Sequence, residues 1–266
     1  MNKIILITGA SSGFGKAAAE RLAARGHIVY GTSRRTFLHE TVRFLQMDVR
    51  DAESVKTGIE TIIEREGRID VAICNAGMGI GGSLEMASHE EIELQMQTNF
   101  MGCVNICQQV LPYMRKQRAG RIINLSSIGG VMGLPYQGFY SASKFAIEGF
   151  SEALSAEVKG YGITVSIVEP GDFKTGFTAS RKNSDATMQS DAYGESFRRS
   201  LQIIEKEENG GLAPEVLAKT IEKIVNARCP KLRYPVANLE QRLSILLHSI
   251  LPGNTFVNIL RSYYKV

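Results

Sequence analysis

Three observations in the 266-residue sequence predict an α/β fold, a doubly wound parallel sheet in one domain. Short apolar runs alternate with stretches of helical periodicity along most of the chain. Most of those runs are apolar on both faces, as strands are when helices cover a parallel sheet from both sides. The first run passes straight into a glycine-rich turn that opens a helical stretch.

Taken in order, strands are expected at 3–8, 27–33, 43–46, 69–74, 121–125 and 164–168, with a late one at 232–235. Ile4-Ile5-Leu6-Ile7 and Ile122-Ile123-Asn124-Leu125 have the length and apolar content of buried strands. Helices are expected at 15–25, 52–65, 89–96, 99–118, 140–160 and 214–227. Strand–helix alternation repeated this often implies right-handed crossovers. The rhythm breaks at 176–211, where polar clusters (Arg181 to Asp185, Glu205 to Glu208) surround isolated Phe177, Met188, Tyr193, Phe197 and Leu201. A long insertion in a compact domain reads as a substrate lid, here with short helices. Residues 239–266 form a C-terminal extension. Its apolar part, 243–260, is broken by His248, Pro252, Gly253 and Asn254, so it reads as a core or lid helix rather than a membrane anchor.

Composition narrows the function classes. Hydrophobic content of 44% and charged content of 22% are ordinary for a globular protein. The net charge of +4 is spread along the chain, so no nucleic-acid partner is expected. The chain runs from Met1 into its first strand with no signal sequence and no integral membrane segment, which points to the cytoplasm. The cysteines (Cys74, Cys103, Cys107, Cys229) form no C-x-x-C pair and the four histidines are scattered. Buried free thiols are expected, with Cys103 and Cys107 on one helix face, and no metal.

The chemistry-bearing residues follow the strands. Gly9, Ser11, Ser12, Gly13, Phe14 and Gly15 fall in the first strand–helix turn, where glycines let backbone approach a pyrophosphate and the helix N-terminus offers free N–H groups. The G-x-x-x-G-x-G spacing differs from the common G-x-G-x-x-G. After the second strand, Arg34 and Arg35 stand where an acid would read a ribose 2′-OH. An arginine accommodates a 2′-phosphate, so NADP(H) is expected rather than NAD(H), with Arg34 the contact. Asp48 and Val49 follow the third strand; Asp48 meets an adenine amino group or serves a helix N-cap together with Asp51. Asn75, Ala76 and Gly77 end the fourth strand with small residues that let backbone pass close to a cofactor. Asn99 is an amide inside an apolar helical pattern, satisfying a backbone group or holding a water. Pro170, Gly171, Phe173 and Thr175 belong to the turn after the sixth strand. Ser127 ends the fifth strand, and Tyr140 and Lys144 are four apart, stacked on one helix face. A phenol titrates near ~10, and an adjacent ammonium lowers that value toward the range of a useful acid–base group.

In this order the motifs T-G-A-S-S-G-F-G, D-V, N-A-G, Asn99, Ser127, Y-S-A-S-K and P-G-x-x-x-T resemble the single-domain branch of the short-chain dehydrogenase/reductase family over residues 3 to 178. The segments after N-A-G and before Tyr140 are most similar to 17β-hydroxysteroid and retinol dehydrogenase-like members. The resemblance implies a Rossmann fold and hydride exchange between a nicotinamide and a secondary alcohol or ketone. It implies Tyr140 as proton donor or acceptor, Lys144 lowering its pKa and holding the nicotinamide ribose, Ser127 steadying the substrate oxygen, and Asn99 holding a water. The glycine turn would frame the pyrophosphate, and Pro170, Gly171, Phe173 and Thr175 would border the nicotinamide. A homodimer or homotetramer is also implied. The apolar neighbours Met132, Leu134, Phe139 and Phe177 point to a hydrophobic small-molecule substrate.

Overall fold

The computed structural model describes residues 2–266. In chain order the strands are β1 (Ile4–Ile7), β2 (Ile28–Ser33), β3 (Arg43–Gln46), β4 (Val71–Cys74), β5 (Ile80–Gly81), β6 (Gly120–Leu125), β7 (Ile163–Pro170), β8 (Lys182–Asn183) and β9 (Arg233–Val236). The helices are α1 (Gly13–Ala24), α2 (Ala52–Glu66), α3 (His89–Met96), α4 (Gly102–Gln117), α5 (Gly138–Val158), α6 (Phe177–Ser180), α7 (Asp185–Gln189), α8 (Gly194–Asn209), α9 (Pro214–Asn226), α10 (Leu239–Ile250) and α11 (Gly253–Tyr264).

Seven strands pair in parallel in the order β3-β2-β1-β4-β6-β7-β9. The period-2 alternation of a strand divides each apolar run between two layers. Ile5 and Ile7 of β1 pack toward α1 and α9, with Ala18, Leu22, Leu217 and Ile221. Ile4 and Leu6 pack toward α2 and α4, with Ile59, Ile62, Ile106 and Val110. The same division explains why these runs are apolar at every position. After β3 the chain crosses to the other side of β1 to build β4, so the strand order reverses between β1 and β4. In a sheet of this kind, ligands bind at the carboxyl ends of the strands beside such a reversal.

The expected strands and helices all form, with boundaries moved by a residue or two. Two regions differ. Residues 177–209 hold α6, β8 and α7 but also α8, a sixteen-residue amphipathic helix that buries Phe197, Leu201 and Ile204. Short helices alone were expected; exposed charged residues of α8 such as Glu195, Arg198, Arg199 and Lys206 interrupt its apolar stripe in the sequence. The C-terminal extension is a helical pair, not one helix, because Pro252 and Gly253 interrupt it. α11 inserts Phe256 into the body, whereas α10 turns Leu239, Leu243, Leu246 and Ile250 outward. Ser200 Oγ donates to the Tyr264 carbonyl (2.6 Å), tying α8 to α11.

Candidate active site

The glycine turn is shaped by what surrounds it. Gly9 and Gly13 have φ of 64° and 52°, in the left-handed region. A side chain on Gly15 would stand 2.4 Å from the Gly9 carbonyl. Thr8 Oγ1 accepts from the Asn75 and Ala76 N–H groups (both 2.9 Å), and Asn75 Nδ2 donates to the Thr8 carbonyl (2.8 Å). The ends of β1 and β4 are thereby fixed to each other, a role of Thr8 that spacing alone did not reveal. Ser12 precedes α1 without a side-chain cap, so the first N–H groups of the helix stay free for an anion. Phe14 stacks edge-on against Phe173 at 4.8 Å, joining this turn to the loop after β7. Gly13 faces Thr175. A cradle that any Cβ at Gly15 would fill, beside uncapped helical N–H groups, fits a dinucleotide pyrophosphate.

Arg34 is exposed and, among the described residues, has no ion-pair partner. Asp48 binds Arg50 through both carboxylate oxygens (3.0 and 2.6 Å), which holds its pKa below the ordinary carboxylate value. The capping of α2 belongs to Asp51, whose side chain accepts from Glu53 N–H (3.0 Å). Val49 packs so tightly on α4 that a Cβ at Gly102 would meet it at 2.6 Å.

Asn99 lies in a π-turn, Gln97–Met101, between α3 and α4. Such turns interrupt a regular helix and often mark functional positions. Its side chain is buried and fully used: Oδ1 accepts from Met78 N–H (2.8 Å), and Nδ2 donates to the Met78 carbonyl and to Ser143 Oγ (both 3.0 Å). These bonds pin the loop after β4 to α5. Gly77 sits between the Asn99 amide and Lys144, its missing Cβ 3.4 Å from Oδ1 and 3.8 Å from Nζ.

Ser127, Tyr140 and Lys144 converge on one wall. Ser127 Oγ accepts from Gly129 N–H (3.0 Å), which orients the hydroxyl at the end of β6. Gly129 lies against both Ser127 and Tyr140, with no room to spare for a larger residue. Lys144 is buried; Nζ donates to the Leu125 carbonyl (2.8 Å) and lies 5.7 Å from the Tyr140 ring centre. Burial pushes Lys144 down to about 8. The phenol pKa in this structure is set chiefly by burial. Burial dominates and pushes Tyr140 up to about 12, the neighbouring Ser127 hydroxyl only partly opposing it.

Beneath these residues opens a cavity of about 500 Å³. Its inner end holds Ser127, Tyr140, Lys144 and the loop Pro170 to Thr175. Its outer walls were not foreseen from motifs: α8 contributes Glu207 and Glu208, α10 contributes Gln241 and Leu247, and α11 contributes Phe256 and Tyr263. The helical spacing of Phe256, Leu260 and Tyr263 was the one available signal. The cavity lining therefore extends beyond 176–211 into 239–266. Arg34 and Asp48 lie outside this cavity, on the adjoining edge of the sheet.

Cys74, Cys103 and Cys107 are free, buried and within 4.8 Å of one another, in the core layer that α4 and α5 cover. Helical spacing placed two of them together, and the end of β4 supplies the third.

Comparison with known proteins agrees with this geometry. A family model described as short chain dehydrogenase matches residues 3–186. The chain is 56% identical over 265 residues (99% of this chain, 98% of the relative) to 3-ketodihydrosphingosine reductase of Bacteroides thetaiotaomicron. It is 34% identical over 252 residues (87% and 76%) to human 17-beta-hydroxysteroid dehydrogenase type 1. A short-chain dehydrogenase from Streptomyces avermitilis superimposes with a TM-score of 0.84 at 30% identity, covering 100% of this chain and 97% of that one. Because the family match spans well over half of the sequence and a relative is 56% identical over almost the whole chain, this chain belongs to the short-chain dehydrogenase/reductase family, whose members are oxidoreductases using NAD(H) or NADP(H).

Proposed function

We propose that the protein is an NADP(H)-dependent reductase of a ketone carried on a hydrophobic, long-chain molecule. The observation that carries this reading is the single cavity wall that joins Ser127, Tyr140 and Lys144 to a deep, largely apolar pocket. Its volume of about 500 Å³ and its apolar lining leave room for a hydrophobic substrate, and the 56% identical relative is named a 3-ketodihydrosphingosine reductase.

Each residue has a task in that reaction. The Ser127 hydroxyl hydrogen-bonds the substrate carbonyl oxygen and, with Tyr140, fixes the ketone at the inner end of the pocket. Tyr140, kept protonated by burial, gives its proton to that oxygen as negative charge develops. Lys144 places a positive charge near the phenol, which favours the tyrosinate left behind when the proton is given. Asn99 holds the loop 76–78 against α5, with Gly77 close beside Lys144. Uncapped N–H groups of α1 bind the pyrophosphate, and Arg34, without a competing acid in its turn, binds the 2′-phosphate. When bound, the nicotinamide supplies the hydride to the carbonyl carbon.

The test is NADPH oxidation with a long-chain ketone, repeated with NADH and with Tyr140→Phe. Wild type is expected to turn over with a lower KM for NADPH than for NADH, and the variant to lose about 10²–10⁴ in kcat while NADPH still binds. Equal turnover by wild type and variant would sink the assignment of Tyr140.

A further inference from the structure

The charges lining the active-site cavity are unevenly distributed. Four carboxylates, Asp172, Glu207, Glu208 and Glu240, face a single cation, Lys144, which sits at the inner end. Of the four, only Glu208 is neutralised: Arg181 pairs with it, and Thr178 Oγ1 donates to it (2.7 Å). Among the described residues no ion pair reaches Asp172, Glu207 or Glu240. Asp172 is held in place by a neutral partner, Gln241, which donates from Nε2 to its carboxylate and accepts from its N–H (3.2 Å). Asp172 and Glu207 are half-buried, whereas Glu240 lies at the exposed rim. Phe177, Ile204, Leu247, Phe256 and Leu260 supply an apolar side to the same lining.

Unpaired carboxylates in an apolar cavity are costly to keep ionised. Burial, followed by the repulsion of Glu208 and Glu207, raises Asp172 to about 7. A ligand cation removes that cost, and away from bulk water the attraction is stronger than at an exposed surface. The arrangement is complementary to an amphiphile with an alkyl chain along the apolar wall and an ammonium beside the reacting carbon.

Resting on the ketone-reductase reading, we infer that Asp172 and Glu207 select a substrate bearing a protonated amine next to its ketone, and reject the neutral ketone of the same chain length. Asp172 is placed for this by the turn after β7, two residues from Pro170, and Glu207 reaches the same space from α8. Both are positioned on segments tied together, Asp172 to α10 through Gln241 and α8 to α11 through Ser200.

The experiment measures calorimetric binding of 2-aminododecan-3-ol and of dodecan-3-ol to wild type, Asp172→Asn, Glu207→Gln and the double variant, with circular dichroism to verify folding. Wild type is expected to prefer the amine by at least about tenfold, the usual gain from a charge-assisted contact. Each single variant should reduce that preference and the double variant should abolish it. The preference should also shrink as pH falls through about 7, since Asp172 then takes up a proton. Glu207 and Glu208 of α8, Arg181, and Tyr263 and Tyr264 of α11 share that field, so the step should sharpen or shift in Glu207→Gln. Equal binding of both alcohols by wild type, or a preference that survives the double variant, overturns the inference. Turnover of 2-aminododecan-3-one and dodecan-3-one with NADPH separates the two claims. Amine-selective binding without oxidation of NADPH by either ketone defeats the reductase reading alone. Equal kcat/KM on both ketones defeats the selectivity alone.

Discussion

Lys144 and Tyr140 titrate in directions set by the same cause, burial of a group whose charged form prefers water. Lys144 falls to about 8 and Tyr140 rises to about 12. Ketone reduction needs the phenol protonated and the lysine charged, and both conditions hold below pH 8. The kcat/KM for reduction is therefore expected to be level from pH 6 to about 8 and to fall above it by about tenfold per pH unit, as Lys144 loses its proton. A stopped-flow or steady-state pH series checks this, and a level profile to pH 10 contradicts the role given to Lys144. These two residues, Ser127 and the glycine turn were legible in the sequence because their function depends on local spacing: i and i+4 on one helix, three glycines in one turn. Asp172, Glu207 and Tyr263 were not legible as a group. They stand on three elements far apart in the chain and meet only through tertiary packing. The pKa of Tyr140 was likewise beyond reach, since spacing shows the nearby cation but not the burial that outweighs it.

At the scale of elements, β9 shows how an edge strand is held. Arg233 reaches Glu148 (2.8 Å) and Glu152 (2.6 Å) of α5 and Glu169 of β7 (3.1 Å). Glu148 and Glu169 are almost wholly buried, and burial with the charge of Glu148 raises Glu169 to about 7. Arg233→Met would leave these carboxylates without a counter-charge. The expected loss is about 2–3 kcal/mol, below the figure for a fully buried pair because Arg233 is itself 36% exposed. That corresponds to a drop in Tm of roughly 5–10 °C. The sign with pH is fixed: the deficit is largest above pH 7, where Glu169 is ionised, and shrinks as it protonates. Thermal melts of wild type and variant at pH 6 and 8 check it. A late strand at this place was expected from its apolar run, but the triple acid contact was invisible, because Glu148 and Glu169 read in sequence as ordinary surface charges. The α8 helix was misjudged for the converse reason, its apolar stripe being split by charged residues that lie on the other face.

For the whole molecule, parallel pairing of all seven strands was the most secure expectation, because it follows from apolar runs repeated with helices between them. The state of assembly is set by surfaces outside those layers. Phe145 is an exposed aromatic on α5, the helix whose Phe150 packs against Phe100 just before α4. A dimer or tetramer is expected by light scattering, with Phe145→Asp shifting it toward the monomer; a monomeric wild type at micromolar concentration refutes this. The roof of the pocket has a further consequence that follows from the direction of synthesis. The glycine turn, Asn99, Ser127, Tyr140 and Lys144 all emerge before residue 145, whereas α10 and α11 follow β9, well after them in the order of synthesis. A nascent chain can thus complete its nucleotide cradle while the substrate cavity still lacks an outer wall. Nucleotide binding then matures earlier than selectivity, and evolution can exchange residues 239–266 for a new specificity without rebuilding the chemistry beneath them.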